Sequence, residues 1–121
     1  MKRDMDLVRK IVFAIEDRAS GFALAELKIE GYTQEQIGYH VCIMIEAGLL
    51  EGDDATTWGD KSPQADATRL TWDGHDFADA ARDDSRWNRA MEIVKKKAGS
   101  ITISVLKELL VSLMKQSLGL G

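Results

Sequence analysis

Apolar residues along this chain recur mostly at helical spacing, and one stretch, Gly31 to Gly52, changes from helical to strand spacing at a glycine. Thr33 is a good N-cap, and Gln36 three residues on completes a capping box. Ile37, Val41, Met44 and Ile45 then gather on one face of a helix. Gly48 in Ala47-Gly48-Leu49 can take the left-handed conformation that ends it, and Leu49 and Leu50 open a strand. Upstream, Asp4 or Asp6 caps a first helix whose buried stripe is Val8, Ile11, Val12 and Ile15, ended over Asp17 to Gly21. Between these helices lies Phe22 to Gly31, where the alternation of Glu26 to Glu30 predicts a short half-buried strand.

Downstream of Gly52 the apolar content drops over residues 52–67, which hold the only proline, Pro63. A strand closing at Thr68–Thr71 should pair antiparallel with Leu49–Glu51, making these residues a loop between two strands. Thr71 can cap a helix from Trp72 to about Asp84 that buries Phe77 and Ala81. Asp83-Asp84-Ser85 interrupts it and caps another, Arg86 to Ala98, with Trp87, Ala90, Met91 and Val94 inward. A last helix runs from Thr102 or Ser104 to Leu118. The elements predict an α+β fold: a core over residues 1–84 and a helical C-terminal extension, 85–121, packed on it as one globular whole.

The run of helix, Ala47-Gly48-Leu49 break and strand, with Tyr39-His40 in mid-helix, resembles the third helix and first wing strand of bacterial winged-helix domains. Leu70-Thr71-x-x-Gly74 leading into a helix resembles the end of the wing in MarR- and PadR-type regulators. The resemblance implies a winged-helix-like core and DNA binding. One departure stands out, because a common winged helix has its second helix where Phe22 to Gly31 falls. Taken whole, MKRDMDLVRKI, EGYTQEQIGYH, EAGLLEG and RLTWDGHDFADAARDD resemble a bacterial and phage family of uncharacterised small proteins, a domain of unknown function. That similarity implies a class and no functional residues.

Charge changes the picture more than composition does. The chain has 121 residues, 45% hydrophobic, with formal charge −4. Residues 20–80 carry three basic and twelve acidic groups, net −9, and residues 81–121 carry eight and four, net +4. The outward face of the Thr33–Ala47 helix, Glu35, Gln36, Tyr39, Ile43 and Glu46, has no cation, although arginine to guanine is the commonest specific base contact. Gln36 is the one residue there suited to adenine. The loop offers Lys61 against four aspartates, so DNA reading is disfavoured and a protein-contact face preferred. Gln36, Tyr39, Ile43, Trp58 and Lys61 remain the candidate partner or DNA face. Trp58 is expected to fold back onto the core rather than present to a partner.

Other chemistry is sparse. A lone cysteine, Cys42, excludes a disulfide within one chain. His40-x-Cys42 places its two groups about 200° apart on a helix, and His75-Asp76 lacks a third ligand. No nucleophile–base set or phosphate-binding glycine pattern occurs, so no catalytic, cofactor or metal site is expected and the protein reads as a non-enzyme. No signal-like or membrane-spanning run is present, which implies a cytoplasmic protein without membrane partners. The last helix carries the strongest functional hint. Its apolar positions cover an arc of about 240°, roughly twice what one packing surface needs. A second subunit is the economical cover, with Leu106, Leu110, Leu113, Met114 and Leu118 as the candidate homodimer interface. Two functions follow: action through protein contacts as a homodimer, with itself and an unknown protein as partners, or a DNA-binding regulator of bacterial or prophage genes.

Overall fold

In a computed structural model, residues 1–18, 26–97 and 99–120 are described. They form five helices and a two-stranded antiparallel sheet, so the fold is α+β. The elements are α1 (Met5–Glu16), α2 (Gln34–Glu46), β1 (Leu50–Asp54), β2 (Ala65–Leu70), α3 (Trp72–Ala81), α4 (Asp84–Lys97) and α5 (Ile103–Ser117). They divide into two compact units, Met1–His75 and Asp76–Gly121, with the boundary inside α3.

In the first unit, Asp4 caps α1 by accepting the Leu7 N–H at 3.1 Å. Leu7, Val8, Ile11, Val12 and Ile15 are its buried stripe, the expected set plus Leu7. The capping box of α2 is complete: Thr33 Oγ1 accepts the Gln36 N–H at 3.1 Å, and Gln36 Oε1 accepts the Thr33 N–H at 2.9 Å. Gly48 ends α2 at φ 80°, with the Leu49 N–H returning to Met44 O and the Gly48 N–H to Ile45 O, both at 3.0 Å. Those paired bonds are a Schellman motif, which only a residue tolerant of positive φ closes cheaply.

Two expectations change here. Glu26–Glu30 forms no strand: a five-residue alternation that pairs with no strand among the described residues gains no ladder bonds. Phe22 to Ala25, and the proposed end of α1 at Ala19 to Gly21, lie outside the described residues. On α2 the buried set is Ile37, His40, Val41 and Met44, with Ile45 only half-buried.

β1 and β2 pair as expected at Leu50↔Leu70 and Glu51↔Arg69, and the Thr71 N–H adds a bond to Leu49 O at 3.0 Å. The ladder continues past an irregularity at Glu51/Gly52 to Asp54↔Ala65, so part of the expected loop is strand. Leu50, Ala65, Ala67 and Leu70 are its buried residues. Thr71 caps α3 by accepting the Gly74 N–H at 3.0 Å.

In the second unit, Asp83 Oδ1 accepts the Arg86 N–H at 2.8 Å and starts α4. Arg86 reaches back to the carbonyls of Ala80 and Asp79, satisfying acceptors that the end of α3 leaves open. Phe77 and Trp87 meet edge to face, ring centroids 6.3 Å apart, an arrangement aromatic pairs favour. Thr102 caps α5 through the Val105 N–H at 3.2 Å. α5 packs on α4, and Leu106, Leu110 and Leu113 are buried. The expected end of α4 at Ala98 lies outside the described residues.

Candidate functional site

The hairpin tip, residues 55–64, is held by its own side chains. Asp54 Oδ1 accepts both the Thr56 N–H at 3.0 Å and the Thr56 hydroxyl at 2.6 Å. Thr56 Oγ1 also accepts the Gln64 N–H at 2.9 Å, and the Ala55 N–H reaches Gln64 O at 2.9 Å. Beyond this cross-tip set, Asp60 Oδ2 accepts the Thr57 N–H at 2.7 Å and the Thr57 hydroxyl at 3.1 Å. The bonds from Thr56 hold the Asp54 carboxyl below the usual aspartate range.

The tip is also tied to α2. Ser62 Oγ donates to Glu35 Oε1 at 3.2 Å, and Gln64 Nε2 donates to Glu35 O at 3.1 Å. Gly38 gives Gln64 its room, since a Cβ at that position would run into the Gln64 amide. A cleft of about 260 Å³ lies here, lined by Arg18, Gln34, Gly38, Thr57, Asp60 and Gln64 among others. Four of its polar groups serve the fold: Arg18 donates to Ala67 O at 2.8 Å, and Thr57, Asp60 and Gln64 make the tip bonds above.

Trp58 stands at the end of this tip, fully exposed at 106%. The expectation that it folds back is therefore corrected. Turn bonds on either side aim the residue outward, and no bond turns it toward the core. Lys61 is exposed on the same tip. Gln36 is committed to the capping box, so its Oε1 is engaged within α2. Tyr39 and Ile43 are half-buried. The structure thus brings Trp58 and Lys61 together on one exposed element, and puts Gln36, Tyr39 and Ile43 on a helix flank with less to offer.

His40 lies inward, although the expected buried face of α2 does not include it. It is 1% exposed; its Nε2 accepts the Asp4 N–H at 2.9 Å and its Nδ1 faces Gln36 O at 2.8 Å. Those partners assign the proton to Nδ1. Asp4 Oδ2 in turn accepts the Tyr32 hydroxyl at 3.0 Å. Burial above all, then the Asp4 bond and the charges of Asp4 and Asp6, push the Tyr32 phenol above its ordinary value. The Cys42 thiol is raised as well, by burial first and then by Glu46 and Asp54, which keeps it protonated and a poor nucleophile.

Of the α5 residues, Leu106, Leu110 and Leu113 are covered within the chain, Met114 is half-buried, and Leu118 is 65% exposed. Among the described residues no three His, Cys, Asp or Glu groups are placed to hold a metal ion. No helix among them is long and apolar enough to cross a membrane.

Residues 2–100 match the profile of a family described as "Hypothetical protein (DUF2513)". A Haemophilus influenzae protein called "Uncharacterized protein" is 31% identical over 121 residues, an alignment covering 98% of this chain and 99% of that one. No solved structure matches the chain. With a profile that takes in both the hairpin tip and α4, and a relative aligned almost end to end, the chain belongs to the DUF2513 family.

Proposed function

We propose that this protein is a non-enzymatic, winged-helix-like contact protein of the cytoplasm, acting through protein–protein contacts as a homodimer. The observation that carries the reading is Trp58, an entire indole in solvent on a tip already fixed by hydrogen bonds. Tryptophan is enriched among the residues that dominate binding energy. A tip ordered beforehand has little conformational entropy left to lose on docking. The engagement of Arg18, Thr57, Asp60 and Gln64 of the cleft in bonds that hold the fold supports a non-enzymatic role.

A second reading, a DNA-binding regulator of bacterial or prophage genes, draws on the succession of α2 and a hairpin wing. Charge opposes it: α2 has no Lys or Arg, and Glu46, Glu51, Asp53, Asp54, Asp60 and Asp66 are exposed in the same unit. Neutralising phosphate is what gives a DNA-binding protein most of its affinity.

Sedimentation equilibrium into the high micromolar range, beside duplex titration across a salt series, decides between them. The expected result is a dimer with no tight duplex binding near ~150 mM salt. A monomeric protein, or a nanomolar sequence-selective DNA complex, would overturn the reading.

A further inference from the structure

Trp58 is fully exposed on its own chain, so any cover for the indole comes from outside it. The surrounding chemistry narrows the occupant. Asp53, Asp54, Asp60 and Asp66 are all exposed on the hairpin, and Lys61 is the one cation of residues 52–67. Asp53 lies directly opposite Asp66 across the ladder. Like charges in that position are unfavourable, and no cation is paired with either among the described residues. The surface that fits is an apolar-tolerant face rich in cations.

The same chain carries one. α4 holds five basic and two acidic residues, net +3. Arg86 is occupied at the end of α3 and Lys96 pairs with Glu92 at 3.0 Å. Arg89, Lys95 and Lys97 are exposed and have no ion-pair partner among the described residues. Lysines in a last turn complement the helix dipole, which accounts for Lys95 to Lys97 but not for Arg89 in mid-helix. At 100° per residue, Ser85, Asn88, Arg89, Glu92, Lys95 and Lys96 share an outward arc of roughly 120°.

Resting on the homodimer reading above, we infer that the Trp58 tip of one copy docks on the exposed arc of α4 in a second copy. The indole face receives the guanidinium or ammonium of Arg89 or Lys95, a contact stronger once water is excluded. Asp53 and Asp66 meet the remaining cations, which sets orientation and makes association salt-dependent. Each copy has both surfaces, so two copies related by a twofold axis would make the contact twice.

The test is sedimentation equilibrium on the full chain, with circular dichroism to establish that each variant is folded. The dimer should weaken about tenfold or more as salt rises from low to about 0.5 M. Trp58→Ala should weaken it by about tenfold or more. The tip variant Asp53→Lys/Asp66→Lys and the helix variant Arg89→Glu/Lys95→Glu should each fail to dimerise alone. Mixed, they should dimerise as the wild type does, since every contact then joins opposite charges. A dimer indifferent to salt and to these substitutions, or a mixture that stays monomeric, would overturn the tip-to-α4 contact while leaving a homodimer standing. A wild type monomeric at high micromolar concentration would remove both.

Discussion

At the scale of single residues, His40 shows how one polar side chain joins two helices. Its ring accepts a backbone N–H at the start of α1 and faces a carbonyl one turn back in α2. Burying an imidazole is tolerable only because both nitrogens have partners. His40→Phe keeps an aromatic ring at the site and leaves the Asp4 N–H without its acceptor. The expected loss is about 1–3 kcal/mol, read as a lower urea midpoint with an unchanged slope. No loss would mean that water replaces the ring at Asp4. The inward placement was only partly legible: at 100° per residue, position 40 falls about 40° beyond the edge of the arc defined by Ile37, Val41 and Met44. Its partner was not, because Asp4 is 36 residues away and a lone histidine carries no pattern that names a distant backbone group. Trp58 was illegible for a related reason. Whether an aromatic in a polar loop folds inward depends on turn bonds such as Asp60 to Thr57, and these have no hydrophobic period.

Among the elements, α2 could be read from the chain at both ends, because Thr33, Gln36 and Gly48 are local signals whose partners lie within a few residues. The hairpin could be placed but not measured. Gly52-Asp53-Asp54 has no apolar alternation, and its strand character comes from the partner strand that pairs with it. That pairing ends in the tip, where Asp54 makes the turn sensitive to acid. Its carboxyl is lowered in the folded protein by the Thr56 bonds, so the unfolded chain binds the proton more readily. The stability it contributes is therefore full above the unfolded value of about 4 and disappears as pH falls through the lower folded-state value. Asp54→Asn should flatten this acid limb of a urea-midpoint-against-pH profile by lowering the midpoint slightly at neutral pH while leaving the acid end unchanged. A wild-type limb that survives the substitution unaltered would assign the acid sensitivity to other carboxylates. The effect should be small, since the group is exposed to solvent.

For the whole molecule, two surfaces compete as the place where copies meet, the charged Trp58 tip with α4 and the apolar flank of α5, and they answer differently to one charge. Periodicity alone showed that α5 has more apolar arc than one surface needs, but not which part its own chain covers. Leu106 and Leu110 are fully buried where α5 packs on α4, while Val105 and Leu118 are exposed at 50% and 65%. Leu110→Glu puts a carboxylate at a fully buried apolar position, a cost of several kcal/mol, so it should abolish the helical signal of residues 76–121. Leu118→Glu adds a charge already in water and should leave circular dichroism and the thermal midpoint nearly unchanged. Its sedimentation then discriminates. If the Trp58 tip and α4 make the dimer, Leu118→Glu keeps the wild-type mass. If α5 makes it, the variant becomes a folded monomer, because the carboxylate opposes an apolar interface and disturbs nothing within the chain. The pattern expected is Leu110→Glu unfolded, Leu118→Glu folded and dimeric, and Trp58→Ala folded with dimerisation weakened. A folded monomer for Leu118→Glu would move the interface to the C-terminal helix.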